Sequence, residues 1–163
     1  MALLRIYLRR ELKELLQNGI RLRVIGDRTA LSSEIRDLIA EAERQTSHNE
    51  QLQLVMALNY GGRNEILAAT RRIAEQVRDG LIAIGDIDER LFASHLDTAG
   101  LPDPDLIIRT SGERRLSNFL LWQCAYAELV FTPTLWPDFA ESDLDAAIDD
   151  YHRRERRYGG AGG

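Results

Sequence analysis

Apolar residues recur at helical spacing near the start of the chain, at Leu4, Leu8, Leu12, Leu15 and Leu16, with arginine, lysine and glutamate on the other face. This spacing predicts an amphipathic helix that stops at Asn18-Gly19. Ile20 to Gly26 then alternates apolar and basic residues with period two, the pattern of a strand with one polar face. Ser32 or Ser33 is placed to cap a second helix built on Ile35, Leu38, Ile39 and Ala42. Leu52 to Leu58 is a short apolar run suited to a buried strand. Asn59-Tyr60-Gly61-Gly62 turns into a third helix with Ile66, Leu67, Thr70, Ile73, Ala74 and Val77 on one side. A short helix near Asp88 to Leu96 precedes the rigid connector Leu101-Pro102-Asp103-Pro104. Leu106-Ile107-Ile108 reads as a third buried strand and Ala127 to Phe131 as a fourth. A final helix is predicted from Ser142 to Arg157, with Leu144, Ala147, Ile148 and Tyr151 inward.

Strand and helix alternate, which predicts an α/β fold with a parallel sheet flanked by helices. The 163 residues predict one domain spanning 1–163, and 44% hydrophobic with 29% charged residues can bury a core without metal or disulfide staples. Cys124 is the one cysteine and cannot close an internal disulfide, so a reduced, cytoplasmic protein is expected. Arginines at positions 5, 9 and 10 interrupt the apolar start, unlike a secretory signal, and no apolar run reaches a membrane-spanning length. The net charge of −5 argues against broad nucleic-acid binding.

The chemistry concentrates in Asp105 to Phe119. A buried strand delivers Arg109 at its carboxyl end, where parallel α/β sheets bind ligands. A Thr-Ser-Gly turn, Arg114, Arg115 and Ser117 follow, with a helix expected to begin just after the serine. Guanidinium forks grip several phosphate oxygens, a hydroxyl serves another, and helix-terminal amides add positive potential. On residue chemistry alone, the same arginines also suit surface ion pairs with Asp105 or Glu113.

The run from Ile107-Ile108-Arg109-Thr-Ser-Gly-Glu-Arg-Arg115-Leu-Ser117-Asn118 through Trp122, Tyr126 and Glu128 to Phe131 closely resembles the signature of the cis-prenyltransferase family, which includes undecaprenyl diphosphate synthase. Asn59-Tyr60-Gly61-Gly62-Arg63, Trp136-Pro137-Asp138-Phe139 and Arg153-Arg154-Glu155-Arg156-Arg157-Tyr158-Gly159-Gly160 extend the resemblance in collinear order. It implies an undecaprenyl diphosphate synthase-like fold. It also implies condensation of isopentenyl diphosphate with an allylic prenyl diphosphate, with Mg2+ as cofactor and a homodimer as the assembly. Arg109, Arg115, Leu116 and Ser117 fall at the positions that bind isopentenyl diphosphate. Glu128 matches a carboxylate of the magnesium site, reached across the dimer interface. Arg157, Gly159 and Gly160 resemble a tail that comes near the phosphates. A polyprenyl product such as undecaprenyl diphosphate would bring the enzyme transiently to the membrane surface.

Each residue also has a plainer role. Glu128 would look the same as a structural carboxylate paired with an arginine. Asn59 to Arg63 reads equally as a tight strand-to-helix turn. Trp122 and Tyr126, four apart, suit packing. His48, His95 and His152 lack metal-ligand spacing, and the Arg153 to Arg157 run suits a helix C-terminus.

The family's Asp-Gly-Asn-Gly-Arg-type loop for the allylic diphosphate, and its Phe-Ser-x-Glu-Asn-Trp-type segment, do not occur in these 163 residues. The fold is therefore expected to lack its N-terminal strands, to expose apolar faces, and to be inactive alone. Either Met1 is an internal methionine of a longer frame, or the chain is a non-catalytic accessory subunit. A phosphate-binding module without transferase history is a third reading, which the collinear match disfavours.

Overall fold

The computed structural model describes residues 2–154, with side chains from residue 10 onward. In chain order it contains α1 (Ala2–Gln17), β1 (Ile20–Ile25), α2 (Ser33–Thr46), β2 (Leu52–Ala57), α3 (Gly62–Arg78), α4 (Glu89–Ser94), β3 (Leu106–Arg109), β4 (Glu128–Phe131) and α5 (Glu141–Arg153). The predicted elements are present except the helix expected just after Ser117. Three 3-10 turns, Arg28–Ala30, Ile84–Asp86 and Trp136–Asp138, are too short to leave a periodic signal. Contacts gather the chain into two compact units, Met1–Gly100 and Leu101–Gly163.

In the first unit β1 pairs with β2 in parallel, from Ile20 opposite Leu52 to Ile25 opposite Ala57. Helices α1 and α2 pack against β1, burying Leu15, Leu22, Val24, Leu31, Ile35, Ile39 and Ala42 together. The two isoleucines of α2 sit four residues apart, so one helical stripe drives into the core. The other edge of β1 is finished by side chains. Leu22 N–H donates to Thr46 Oγ1 (3.1 Å) and Val24 N–H to Glu43 Oε1 (2.7 Å). Asn49 Nδ2 donates to Ile20 O (2.8 Å), Arg28 Nη2 to Val24 O (2.5 Å), and Gly26 N–H to Asp97 Oδ2 (3.1 Å).

Two expected faces differ from those observed. Helix α3 buries Gly62, Glu65, Ala69 and Ile73, while Leu67 is 53% exposed. Glu65 turns the helix this way: its Oε2 accepts from Tyr60 Oη (2.6 Å) and its Oε1 from Asp97 N–H (2.8 Å). A carboxylate so supplied can be buried, and apolar counting passes over it. Strand β2 is less buried than its composition predicts. Leu54, Val55 and Met56 are half-buried and Leu52 is 57% exposed.

In the second unit β3 pairs with β4 in parallel, from Leu106 opposite Glu128 to Arg109 opposite Phe131. Helix α5 packs on β4 through buried Ala147, with Ile148 and Tyr151 half-buried; Leu144, expected inward, is exposed. Asp143 holds the start of α5 by accepting from Ala140 N–H (3.0 Å) and Thr134 Oγ1 (2.7 Å). The predicted helix end at Arg157 lies outside the described residues.

At Gly26, φ is +106° and a β-carbon would sit 2.2 Å from Leu58 O. Gly26→Ala is therefore expected to cost about 1–3 kcal/mol from the dihedral, with the clash in addition. Urea unfolding checks this against Gly85→Ala, which meets open space at an ordinary φ and should stay within about 0.5 kcal/mol. Equal losses in the two variants would refute it.

Candidate functional site

Arg109 is the last residue of β3, so its side chain leaves the sheet at the carboxyl end of a parallel strand. The following loop is stapled back onto the end of β4. Thr132 N–H donates to Arg109 O (2.9 Å), Gly112 N–H to Thr132 O (2.9 Å) and Ser111 N–H to Thr134 O (2.8 Å). Ser111 and Gly112 both take left-handed φ of 67°, which folds the loop tightly enough to return Arg115 and Ser117 to the strand end. The helix expected after Ser117 is absent, and residues 117–126 form a chain of turns. Ser117, Asn118 and Leu120 have φ of 50°, 64° and 44°, values that a right-handed helix does not accommodate. Helix-terminal amides are thus no part of this site.

The loop borders a half-open cavity of about 260 Å³ with two kinds of wall. Arg109, Thr110, Arg115 and Ser117 supply the polar side; Ile107, Ile108, Leu116, Phe119 and Phe131 supply a larger apolar one. Arg109 Nη1 donates to Arg115 O, and Arg115 Nε to Ser117 Oγ (3.2 Å), so the three residues brace one another. Arg115 also forms an ion pair with Glu113. Of the two sequence readings of these arginines, the surface ion pair is seen at Arg115 and Glu113. Both guanidinium groups keep further N–H donors, enough to grip an oxyanion, and the adjoining apolar wall suits a short hydrocarbon. Thr110, Phe119 and Phe131 were not singled out from sequence, since nothing in a linear pattern shows that β4 returns beside the arginine loop.

Glu128 lies elsewhere. The register puts it opposite Leu106, three residues from the Arg109–Phe131 pair, about 10 Å along the ladder at ~3.3 Å per residue. Side chains alternate faces along a strand, so the Glu128 and Arg109 side chains also leave the sheet on opposite faces. Glu128 Oε2 accepts from Arg154 Nη1 (2.8 Å), whose Nη2 donates to Asp150 Oδ2 (2.5 Å). Glu128 and then Asp150 hold the Arg154 guanidinium above its already high ordinary pKa.

Among the described residues no three His, Cys, Asp or Glu side chains gather as a metal site. A lone carboxylate already gripped by a guanidinium does not fit Mg2+, which asks for six oxygens in a near-octahedral shell. His95 is held locally by Leu91 O (2.8 Å) and Gln76 Oε1 (3.1 Å). Asn59, at φ 49°, exchanges bonds with the Asp27 backbone through its own carbonyl (3.2 Å) and its Nδ2 (3.1 Å), locking a turn. Trp122 and Tyr126 are exposed. Arg157, Gly159 and Gly160 lie outside the described residues.

Parallel strand pairs with helices against them define an α/β protein, with two arginines gathered at the carboxyl end of β3. The family described as "Putative undecaprenyl diphosphate synthase" matches residues 1–159, and the chain belongs to this cis-prenyltransferase family. It is 53% identical over 160 residues to an isoprenyl transferase of Brucella suis, and 51% identical over 160 residues to one of Caulobacter vibrioides. These alignments cover 98% of this chain but 63% and 62% of the relatives, so the chain spans somewhat under two thirds of their length. Among solved structures it is similar to lavandulyl diphosphate synthase from Lavandula x intermedia, in complex with dimethylallyl diphosphate. The TM-score is 0.94 at 42% identity, covering 98% of this chain and 70% of that one. It is also similar to a probable undecaprenyl diphosphate synthase from Campylobacter jejuni, with a TM-score of 0.83 at 36% identity, covering 98% and 72%. No helix among the described residues is long and apolar enough to cross a membrane.

Cys124 lies in the turns behind the arginine loop, half-buried, and burial first and Asp103 second raise its thiol pKa. Only the thiolate is nucleophilic, so less of it is available at neutral pH than in an exposed cysteine. Reaction with a disulfide reagent should be slower than for a cysteine peptide at pH 7. Its rise with pH should be displaced to higher pH. A peptide-like rate at pH 7 would contradict this environment.

Proposed function

We propose that the chain serves cis-prenyl transfer, the condensation of isopentenyl diphosphate with an allylic prenyl diphosphate, by supplying the isopentenyl diphosphate half-site. The carrying observation is the divided cavity: two braced guanidinium groups and Ser117 on one side, and an apolar wall on the other. Arg109 and Arg115 hold the diphosphate, Ser117 serves one of its oxygens, and Leu116 lies against the five-carbon chain. In this reaction the allylic C–O bond breaks and diphosphate departs. The double bond of isopentenyl diphosphate forms the new C–C bond, and a proton is then lost. The cradle contributes position: a diphosphate gripped at two arginines leaves its alkene little freedom, and orientation accounts for a large part of such a barrier. Kinship with isoprenyl transferases supports this reading, as does similarity to a synthase bound to dimethylallyl diphosphate.

The same reading makes the working unit a homodimer. Glu128 is turned away from the cradle of its own chain, which suits a carboxylate offered to a second copy. Mg2+ would be the cofactor of such a reaction and would supply positive charge toward a departing diphosphate; the carboxylates described here do not make up its ligand set. A polyprenyl product, of the undecaprenyl class, would bring a cytoplasmic enzyme briefly to the membrane surface.

Isothermal titration of isopentenyl diphosphate into the chain should show saturable binding. Arg109→Ala and Arg115→Ala should each weaken it about 10- to 100-fold, the range for losing a charge-assisted hydrogen bond of about 1.5–3 kcal/mol. Variants that bind like the parent would refute the cradle. With farnesyl diphosphate, radiolabelled isopentenyl diphosphate and Mg2+, the chain by itself should give no polyprenyl product. Robust incorporation would overturn the half-site assignment in favour of a complete enzyme.

A further inference from the structure

The arginine run at the end of α5 looks uniform in sequence, yet the structure divides it. Arg153 is exposed, whereas Arg154, the C-cap residue of α5, is half-buried and reaches back across the unit. Its Nη1 donates to Glu128 Oε2 (2.8 Å) and Leu129 O (3.0 Å), and its Nη2 to Asp150 Oδ2 (2.5 Å). One planar fork thus joins the first two residues of β4 to the last turn of α5. The Leu129 carbonyl is a fixed point of the strand, and Asp150 sits one turn back on the helix at i,i+4. The guanidinium is therefore aimed from two sides before it meets the glutamate. Among the described residues Glu128 is bonded through Oε2 alone.

We propose that Arg154 is a positioning residue for Glu128. It grips one carboxylate oxygen and fixes the side-chain rotamer, so that the other oxygen is offered in a constant direction to a single hydrogen-bond donor. Lysine could not do this, because one ammonium lacks the fork that spans strand carbonyl, carboxylate and helix carboxylate. The proposal rests on the reading of Glu128 as a carboxylate that serves a site, though the clamp can be measured independently of any ligand.

The test is side-chain NMR of the chain with labelled glutamate, reading three-bond couplings across the Glu128 χ1 bond. The parent should show one staggered rotamer, and Asp150→Asn should keep it, because the Glu128 and Leu129 contacts survive. Arg154→Met and Arg154→Lys should average over the three wells, lowering the dominant population about two- to threefold. Should the methionine variant fail to fold, the lysine variant carries the test. A single Glu128 rotamer persisting without Arg154 would overturn the proposal. So would averaging in Asp150→Asn equal to that of the arginine variants, which would make the helix end the determinant. Isopentenyl diphosphate affinity should be the same in the parent and the Arg154 variants. A parent with a fixed Glu128 rotamer and no isopentenyl diphosphate binding would support the clamp while sinking the proposed half-site.

Discussion

Two strands paired in parallel leave half of their peptide groups pointing away from the ladder, and a buried peptide group without a partner is costly. This obligation organises both units. On β1 the outward groups of Ile20, Leu22, Val24 and Gly26 are met by Asn49, Thr46, Glu43, Arg28 and Asp97. Those five residues come from α2 and from loops before and after it, so satisfying one strand edge fixes where each of those segments lies. On β4 the outward Leu129 carbonyl is met by Arg154, which ties the end of α5 to the strand. Apolar burial then fills the space such bonds define: Ile35 and Ile39 reach the core because Glu43 and Thr46 on the same helix hold it against β1.

Elements were legible in the sequence where one period dominated. The leucines of α1, the alternation of β1 and the Ile35/Ile39 stripe of α2 each state their structure locally. Legibility failed where a polar residue was the buried one. Helix α3 presents Glu65 rather than Leu67 to the interior because Tyr60 and Asp97, five and 32 positions away, supply its hydrogen bonds. No local window contains that information. The turns at 117–126 are a second case: Ser-Asn-Phe-Leu-Leu reads as a capped helix, but three left-handed residues break it.

The candidate site was legible in part for a similar reason. Arg109, Arg115 and Ser117 are close in sequence, so one local stretch and its family resemblance single them out as candidates. The apolar wall that gives the cavity its second character includes Phe131, brought in only by strand pairing. Glu113 shows how the two readings of the arginines combine: its ion pair with Arg115 shares the loop with the cavity and leaves Arg109 facing the same space.

The ladder of β3 and β4 is four residues long, and its parity makes cradle and carboxylate mutually exclusive on any one face. Sliding β4 by a single residue would bring Glu128 to the side of Arg109. The same slip would carry Phe131 off that side, removing one residue of the apolar wall and adding a negative charge to the face of Arg109. One short strand pair thus sends Arg109 and Phe131 to one face and Glu128 to the other, so a four-residue ladder sets an acid and an arginine back to back.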